Sequence, residues 1–189
     1  MQADGTVAPV SNAHKRRSIR LKEFDYTQSG AYYVTICSHA WESLFGKVVG
    51  DEVELSTFGR IVDEEWVNNA TIRPYVELDN YVIMPNHIHG IVMIIAGRGT
   101  TRRAPTKERF GKPVSGSLPT IIRAFKSAAT KQINRLRDTP GQRVWQRNYY
   151  EHIIRNDKDL NRIREYIASN PMKWQSDRYY PDTINATAA

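Results

Sequence analysis

The sequence YVIMPNHIHGIVMII, residues 81–95, reads as two apolar strands joined by a tight turn at Pro85 and Asn86. The second strand is apolar on both faces, which is typical of a central strand covered by a layer on each side. Alternate side chains of a strand point to the same face, so His87 and His89 project side by side while Ile88 points into the opposite layer. Two imidazoles on a rigid strand form half of a metal site, and burying them without polar partners would cost free energy.

Hydrophobic periodicity and capping residues predict the remaining elements around this pair of strands. We expect a strand over 31–39, a hairpin over 44–55, a strand within 145–155, and helices over 56–69, 117–137 and 156–170. The order β-α-β-β-α-β-α predicts an α+β fold, a ferredoxin-like antiparallel β-sheet with packed helices.

The composition indicates one soluble globular domain. The chain has 189 residues, of which 40% are hydrophobic and 25% are charged. We expect a flexible basic arm over 1–19, a single domain over 20–180 and a loose tail over 181–189. The apolar runs have the length of strands and no stretch resembles a signal peptide, so we expect no membrane span and a cytoplasmic protein. The single cysteine, Cys37, excludes an intramolecular disulfide and a cysteine-rich zinc site, and we expect it in the core.

The net charge of +7 and the isoelectric point near 9.6 favour polyanionic partners, above all nucleic acid. Two basic clusters are candidate phosphate contacts, the alternative being ordinary solvated surface. One fills a loop that follows the histidine strand, and the other lies on the helix predicted over 117–137; their residues are Arg98, Arg102, Arg103, Lys107, Arg109 and Lys112, then Arg123, Lys126 and Lys131.

The last predicted helix carries a tyrosine and an amide at a shared edge. Tyr166 and Asn170 are four residues apart, so they are neighbours on a stripe beside the apolar face. A phenol and an amide oxygen at the edge of a buried face could meet the two histidines. The alternative is a packing tyrosine and a residue that ends the helix before Pro171, and the helix alone favours this second interpretation.

The motifs taken together resemble the single-tyrosine transposases of the HUH superfamily, whose name describes the His-hydrophobe-His strand, and most of all the REP-associated tyrosine transposases. The resemblance covers about residues 20–174 in the order of the family. Its segments are YVIMPNHIHGIV, SLPTIIRAFKSAATKQIN, WQRNYYEHIIRN and IREYIASNPMKW, at 81–92, 117–134, 145–156 and 163–174. A lone His-x-His would be weak support, whereas the full series is specific.

The resemblance implies roles for particular residues. His87 and His89 match the metal ligands, Tyr166 matches the nucleophile, and Asn170 matches the third ligand. Two other tyrosines are rivals by composition, but the family places its nucleophile on the helix after their strand. We therefore expect packing or DNA-stacking roles for Tyr149 and Tyr150, and a structural role for His152.

The resemblance also implies a chemistry and a partner. The expected activity is that of a DNA transposase, a single-strand endonuclease and strand transferase that works through a 5′-phosphotyrosine with Mg²⁺ or Mn²⁺. The expected partner is single-stranded or hairpin DNA in a bacterial, nucleoid-associated setting, with a monomer favoured over a homodimer. Two alternatives stay open: a catalytically inactive, domesticated DNA-binding protein, and a structural zinc or RNA-binding protein of ferredoxin-like fold.

Overall fold

The structure is a computed structural model that describes residues 24–95 and 114–183. The strands in chain order are β1 Gly30–Cys37, β2 Gly46–Val49, β3 Glu52–Leu55, β4 Val76–Met84, β5 His87–Ile94 and β6 Tyr150–Ile154. The α-helices are α1 Thr57–Ile72, α2 Leu118–Leu136 and α3 Asp157–Ala168. Two short 3₁₀ helices span His39–Trp41 and Pro171–Ser176.

The histidine strand β5 lies inside a four-stranded sheet. The strand order is β4-β5-β1-β6, and all neighbouring strands run antiparallel. Pro85 and Asn86 join β4 to β5, and on the other side of β5 Thr35 is opposite His89. The predicted central position of this strand is confirmed. β2 and β3 form the separate hairpin that the sequence predicts over 44–55.

Different helices cover the two faces of the sheet. α1 and α2 pack on one face, where Val34 and Ile88 from the sheet meet Trp66 and Phe125 in the main core. α3 covers the opposite face through a smaller cluster of Tyr33, Ile91, Ile154, Ile163 and Ile167. The predicted α+β class, an antiparallel sheet with packed helices, is therefore confirmed.

Gly90 allows a large side chain to pack directly on β5. A Cβ atom at this position would lie 2.4 Å from Cζ2 of Trp66, far inside van der Waals contact. Trp66 is fully buried on the face of β5 opposite to the histidines. The glycine that follows the histidine pair is thus required by the packing of α1, and α1 in turn supports the strand from behind.

The strand expected within 145–155 is confirmed as β6, which occupies only the second half of this range. Trp145 forms only an isolated bridge with Ser38, and β6 begins at Tyr150. The preceding residues contact α2 instead, because the ammonium group of Lys126 donates to the carbonyl oxygens of residues 146, 147 and 148 at 2.5, 3.4 and 3.4 Å. These carbonyls face the helix and are not available to a strand ladder.

Other sequence-based expectations concern the core, the membrane and the ends of the chain. Cys37 is buried, as expected, and burial raises the pKa of its thiol to about 12. Within residues 24–95 and 114–183, no helix combines the length and the apolarity that crossing a membrane requires. The predicted arm, residues 1–19, and residues 184–189 of the predicted tail lie outside the described residues, while 181–183 form one helical turn.

Candidate functional site

The two histidines of β5 form the centre of a buried polar cluster. The side chains of His87 and His89 are fully buried, and their Nε2 atoms lie 3.0 Å apart. Nδ1 of His87 lies 2.8 Å from Oδ1 of Asn86, whose Nδ2 donates to the carbonyl oxygens of Tyr179 and Trp41 at 2.8 and 3.3 Å. Since carbonyl oxygens only accept, the orientation of the amide is fixed, and Nδ1 of His87 must donate to it. The lone pair of His87 is therefore on Nε2.

The second histidine is held by two hydroxyl groups of β1. Nδ1 of His89 lies 2.7 Å from the hydroxyl of Tyr33 and 2.9 Å from Oγ1 of Thr35. Either hydroxyl can accept a hydrogen bond from Nδ1–H, and in this tautomer the lone pair of Nε2 is directed at His87. The ring of Tyr33 also stacks on His89, with 5.6 Å between centroids. These contacts fix the orientation of the ring in the way that outer partners orient metal-binding histidines.

Both imidazoles are neutral at physiological pH. Burial lowers the pKa of His89 to about 3, and the positive charge of Arg178 acts in the same direction. Burial also lowers the pKa of His87 well below its usual range, with smaller effects from His89 and Arg178. With Nδ1 of His89 protonated, the two neutral rings present lone pairs to each other at 3.0 Å, and a cation between them would satisfy both. In this tautomer the pair fits a cation ligand set.

A carboxylate that the sequence did not single out completes this set. Asp177 is buried, and one of its oxygens lies with the histidine nitrogens in a group whose members are all within 4.8 Å of one another. The backbone amide of Tyr179 donates to its Oδ1 at 2.6 Å. Asp177 comes directly after the 3₁₀ helix Pro171–Ser176, and its only signal in the sequence is an acidic residue shortly after Asn170.

Asn170, for which the family resemblance implies the role of third ligand, lies against this carboxylate. It is buried at the end of α3, and its Nδ2 donates to Oδ2 of Asp177 at 3.3 Å. Its Oδ1 is buried without a hydrogen-bond partner among the residues that the structure describes. An orphaned amide oxygen beside a carboxylate and two neutral imidazoles fits a divalent cation, since carboxylate and amide oxygens are common ligands of Mg²⁺ and Mn²⁺.

Tyr166 reaches the same cluster from α3. The helix begins at the cap of Asn156, whose side chain accepts from the amide of Asp159 at 2.9 Å, as its sequence predicts. The hydroxyl of Tyr166 lies 3.3 Å from Nε2 of His89, and 37% of the residue's surface is exposed. Its pKa is raised by burial and by Asp177, and lowered in part by Arg178, Asn170 and Tyr33. An accessible phenol and the candidate cation ligands thus share one site.

The rival tyrosines have other surroundings. Tyr149 is half-buried and packs against the main core, on the α1 and α2 side of the sheet. Tyr150 is 48% exposed on β6, and its ring lies edge-on to Tyr33 at 6.2 Å. Trp145 is buried in the main core, where it packs and is not available to stack on DNA bases. Nε2 of His152 is hydrogen-bonded to Oδ2 of Asp159 at 2.7 Å, which suits the structural role expected for this histidine.

The predicted phosphate contacts divide into two groups. The loop residues Arg98, Arg102, Arg103, Lys107, Arg109 and Lys112 lie outside the described residues. On α2, Arg123 and Lys131 are exposed, and Lys131 and Lys126 line a groove of about 850 Å³ between the helix and residues 138–147. Lys126 is half-buried, and desolvation lowers the pKa of its ammonium to about 8. Its carbonyl partners give it a structural contact that the sequence does not reveal.

Comparisons with known proteins find an uncharacterized relative and proteins that carry transposase names. No protein-family model matches the chain. An uncharacterized protein of Haemophilus influenzae is 40% identical over 173 residues, which span 89% of this chain and 95% of that protein. A second protein of Haemophilus influenzae, provisionally named a REP-associated tyrosine transposase, is 28% identical over 152 residues, 79% of this chain and 74% of its own length. A solved structure of a REP-associated tyrosine transposase bound to a REP hairpin has the same fold, with a TM-score of 0.55 and 21% identity over 82% of this chain and 73% of that one.

Proposed function

We propose that the chain is a REP-associated tyrosine transposase, a metal-dependent enzyme that cleaves and rejoins single-stranded DNA beside hairpins; a relative provisionally given that name and a solved structure of the same fold support the proposal. The observation that carries this proposal is the contact of 3.3 Å between the Tyr166 hydroxyl and Nε2 of His89. The same nitrogen faces His87, so the contact supports a nucleophile that works next to a set of cation ligands.

The proposed reaction is a transesterification at phosphorus. The phenol oxygen of Tyr166 forms a bond to the phosphorus and loses its proton, while the bond from phosphorus to the 3′ oxygen breaks and that oxygen gains a proton. The product is a 5′-phosphotyrosine and a free 3′-hydroxyl. One phosphodiester bond replaces another, so attack by a second 3′-hydroxyl rejoins strands without an external energy source.

Three residues around the phenol favour its ionised form, against the effects of burial and of Asp177. An unperturbed tyrosine has a pKa near 10, and burial raises that of Tyr166 further. The positive charge of Arg178 and the hydrogen bonds from Asn170 and Tyr33 oppose this rise. In the proposed mechanism, these groups stabilise the negative charge that develops on the oxygen as it attacks.

We propose that His87, His89 and Asp177 hold the divalent cation, with the unpartnered oxygen of Asn170 as a further donor. When bound, Mg²⁺ or Mn²⁺ would polarise the scissile phosphate and orient it for in-line attack. The mixed nitrogen and oxygen donor set suits these ions and contains no thiolate that would favour zinc.

The proposed partner is hairpin DNA with an adjacent single strand. The related transposase of known structure is bound to a REP hairpin, and Arg123 and Lys131 of α2 offer exposed positive charge for phosphates. The loop cluster over 98–112 extends the same proposal. All ligands and the tyrosine come from one chain, which supports a monomer whose site needs no second subunit.

The alternative of a binding protein that has lost catalysis has less support, because the tyrosine and all the candidate ligands remain assembled. A covalent adduct assay separates the two functions. Labelled single-stranded hairpin DNA from the flanks of the gene is incubated with the protein and Mn²⁺ or Mg²⁺, or with a chelator. We expect a metal-dependent adduct that Tyr166→Phe abolishes and that Tyr150→Phe, a matched change on β6, retains. Tight binding without an adduct on any hairpin of the flanks would indicate the binding protein.

A further inference from the structure

Arg178 lies at the mouth of the site, one aromatic ring away from the histidines. Its guanidinium carbon is 4.5 Å above the ring of Tyr179, and its Nη2 donates to the hydroxyl of the same residue. The ring of Tyr179 is 4.7 Å from that of His87 and 6.1 Å from that of His89. Arg178 is exposed, whereas Tyr179 is buried, so the guanidinium faces solvent across a ring that packs on the histidines.

Among the described residues, no neighbouring acid neutralises the charge of this guanidinium. In the part of the chain that the structure describes, no carboxylate lies within ion-pair distance of Arg178. The adjacent Asp177 is turned inward, where Asn170 and the backbone amide of Tyr179 bind its oxygens. An exposed, uncompensated guanidinium at the entrance of a buried site is suited to an anionic group of the substrate.

The phenol and the guanidinium both approach His89. The ring of Tyr166 is 5.2 Å from that of His89, and the ring of Tyr179, over which the guanidinium lies, is 6.1 Å from it. Arg178 is therefore separated from the ring that Tyr166 contacts by a single aromatic side chain.

We propose that Arg178 binds a non-bridging oxygen of the scissile phosphate and holds the phosphorus against the hydroxyl of Tyr166. This inference rests on the proposed function and adds to it a residue that contacts the substrate. The planar guanidinium presents two parallel N–H donors, which can bind the negatively charged oxygens of a phosphate. Arg178 exchanges no proton in this step; it neutralises charge while the bond to the 3′ oxygen is replaced by the bond to Tyr166.

A charge-deletion experiment on the DNA tests this contact. The cleavage position is first mapped with the wild-type protein. Binding of two otherwise identical oligonucleotides is then measured by fluorescence anisotropy with Mn²⁺, in a Tyr166→Phe background that cannot cleave. One oligonucleotide has the natural phosphodiester at the scissile position, and the other has an uncharged methylphosphonate there. The ratio of the two Kd values measures how strongly the site recognises the charge of that one phosphate.

We expect Arg178→Gln to reduce this ratio by about tenfold, the scale of one hydrogen-bonded charge contact, and Arg178→Lys to reduce it less. Arg162→Gln is the matched control, because it removes the same charge from an exposed residue that pairs with Asp159 outside the site. A purely structural role of Arg178 would weaken the binding of both oligonucleotides equally and leave the ratio unchanged, and this result would overturn the proposal. If the wild-type protein forms no adduct with any DNA, the proposed function itself fails, and this inference fails with it.

Discussion

The hydroxyl oxygen of Tyr166 lies 3.3 Å from Nε2 of His89, although 77 positions separate the two residues in the chain. The contact results from two rigid supports. Ile163 and Ile167 anchor α3 on the sheet, and the central position of β5 fixes the histidine. Because the same nitrogen is 3.0 Å from Nε2 of His87, any ion bound between the two rings would also lie beside the phenol. In the proposed mechanism, cation binding would therefore affect the ionisation of the tyrosine.

The first prediction concerns the identity of the oxygen ligands. Asp177→Asn should weaken the binding of Mn²⁺ by at least about tenfold, because it removes the one negative charge of the donor set. Asn170→Ala should weaken it less, since it removes a neutral oxygen. Isothermal titration calorimetry of the folded variants measures both effects. Glu165→Gln is the control, as it deletes an equal charge from the exposed side of α3. Wild-type affinity in Asp177→Asn would show that this carboxylate is not a ligand.

The second prediction concerns the packing behind the histidine strand. Gly90→Ala places a Cβ atom 2.4 Å from Trp66, and should lower the free energy of unfolding by about 1–3 kcal/mol, the usual effect of overpacking. Gly30→Ala is a matched change in the neighbouring strand, where the nearest atoms to an added Cβ are 3.9 Å away. Its effect should stay within about 0.5 kcal/mol. Urea denaturation compares the two, and equal stabilities would contradict the packing argument.

The sequence predicts the parts of this site that depend on local periodicity. His87 and His89 share a face of β5 because side chains alternate in a strand, and Tyr166 lies beside the buried stripe of α3 because of the helical repeat. Asp177 was missed for a physical reason. Its position depends on the turn that follows a 3₁₀ helix, and this turn is held by the contact of Asn86 with the carbonyl of Tyr179, 93 positions away. Local periodicity does not predict a contact between residues so far apart in the chain.

The contact of Lys126 with the backbone of 146–148 is a second tertiary contact that no local sequence pattern predicts. Strand-favouring residues occur on both sides of the start of β6, since Trp145, Tyr149 and Tyr150 all favour strands. The ammonium of Lys126 binds the carbonyls before Tyr149, and only the residues from Tyr150 onward join the ladder. A tertiary hydrogen bond thus decides where β6 begins.

The third prediction concerns the pH dependence of stability without metal. Burial lowers the pKa of His89 to about 3, whereas the unfolded chain titrates near 6.5. Between these values the unfolded state binds a proton that the folded state does not, so stability falls as the pH falls below 6.5 and is fully present above it. The slope should be about 1.4 kcal/mol per pH unit for one histidine. Urea midpoints at pH 7, 6 and 5 in a chelator measure it, and His89→Gln should flatten the slope. A flat profile in the wild-type protein would contradict a neutral buried His89.

The last prediction distinguishes Lys126 from Lys131, two lysines of α2 that the sequence analysis gives as candidate phosphate contacts. The ammonium of Lys126 is bonded to backbone carbonyls, so Lys126→Met should lower the free energy of unfolding by about 1–3 kcal/mol through the unsatisfied carbonyls. It should leave the salt dependence of hairpin binding unchanged. Lys131 is exposed, so Lys131→Met should leave stability unchanged within about 0.5 kcal/mol. It should also reduce the slope of log affinity against log salt concentration by about one, as expected when one phosphate contact is lost.

Denaturation and salt titrations of hairpin binding on both variants measure these two effects independently. If Lys126→Met lowered the salt slope while stability was kept, its ammonium would be a phosphate contact and its hydrogen bonds to 146–148 would be dispensable. If Lys131→Met left the slope unchanged, DNA would not bind along this side of α2, and the phosphate contacts would have to come from elsewhere on the chain.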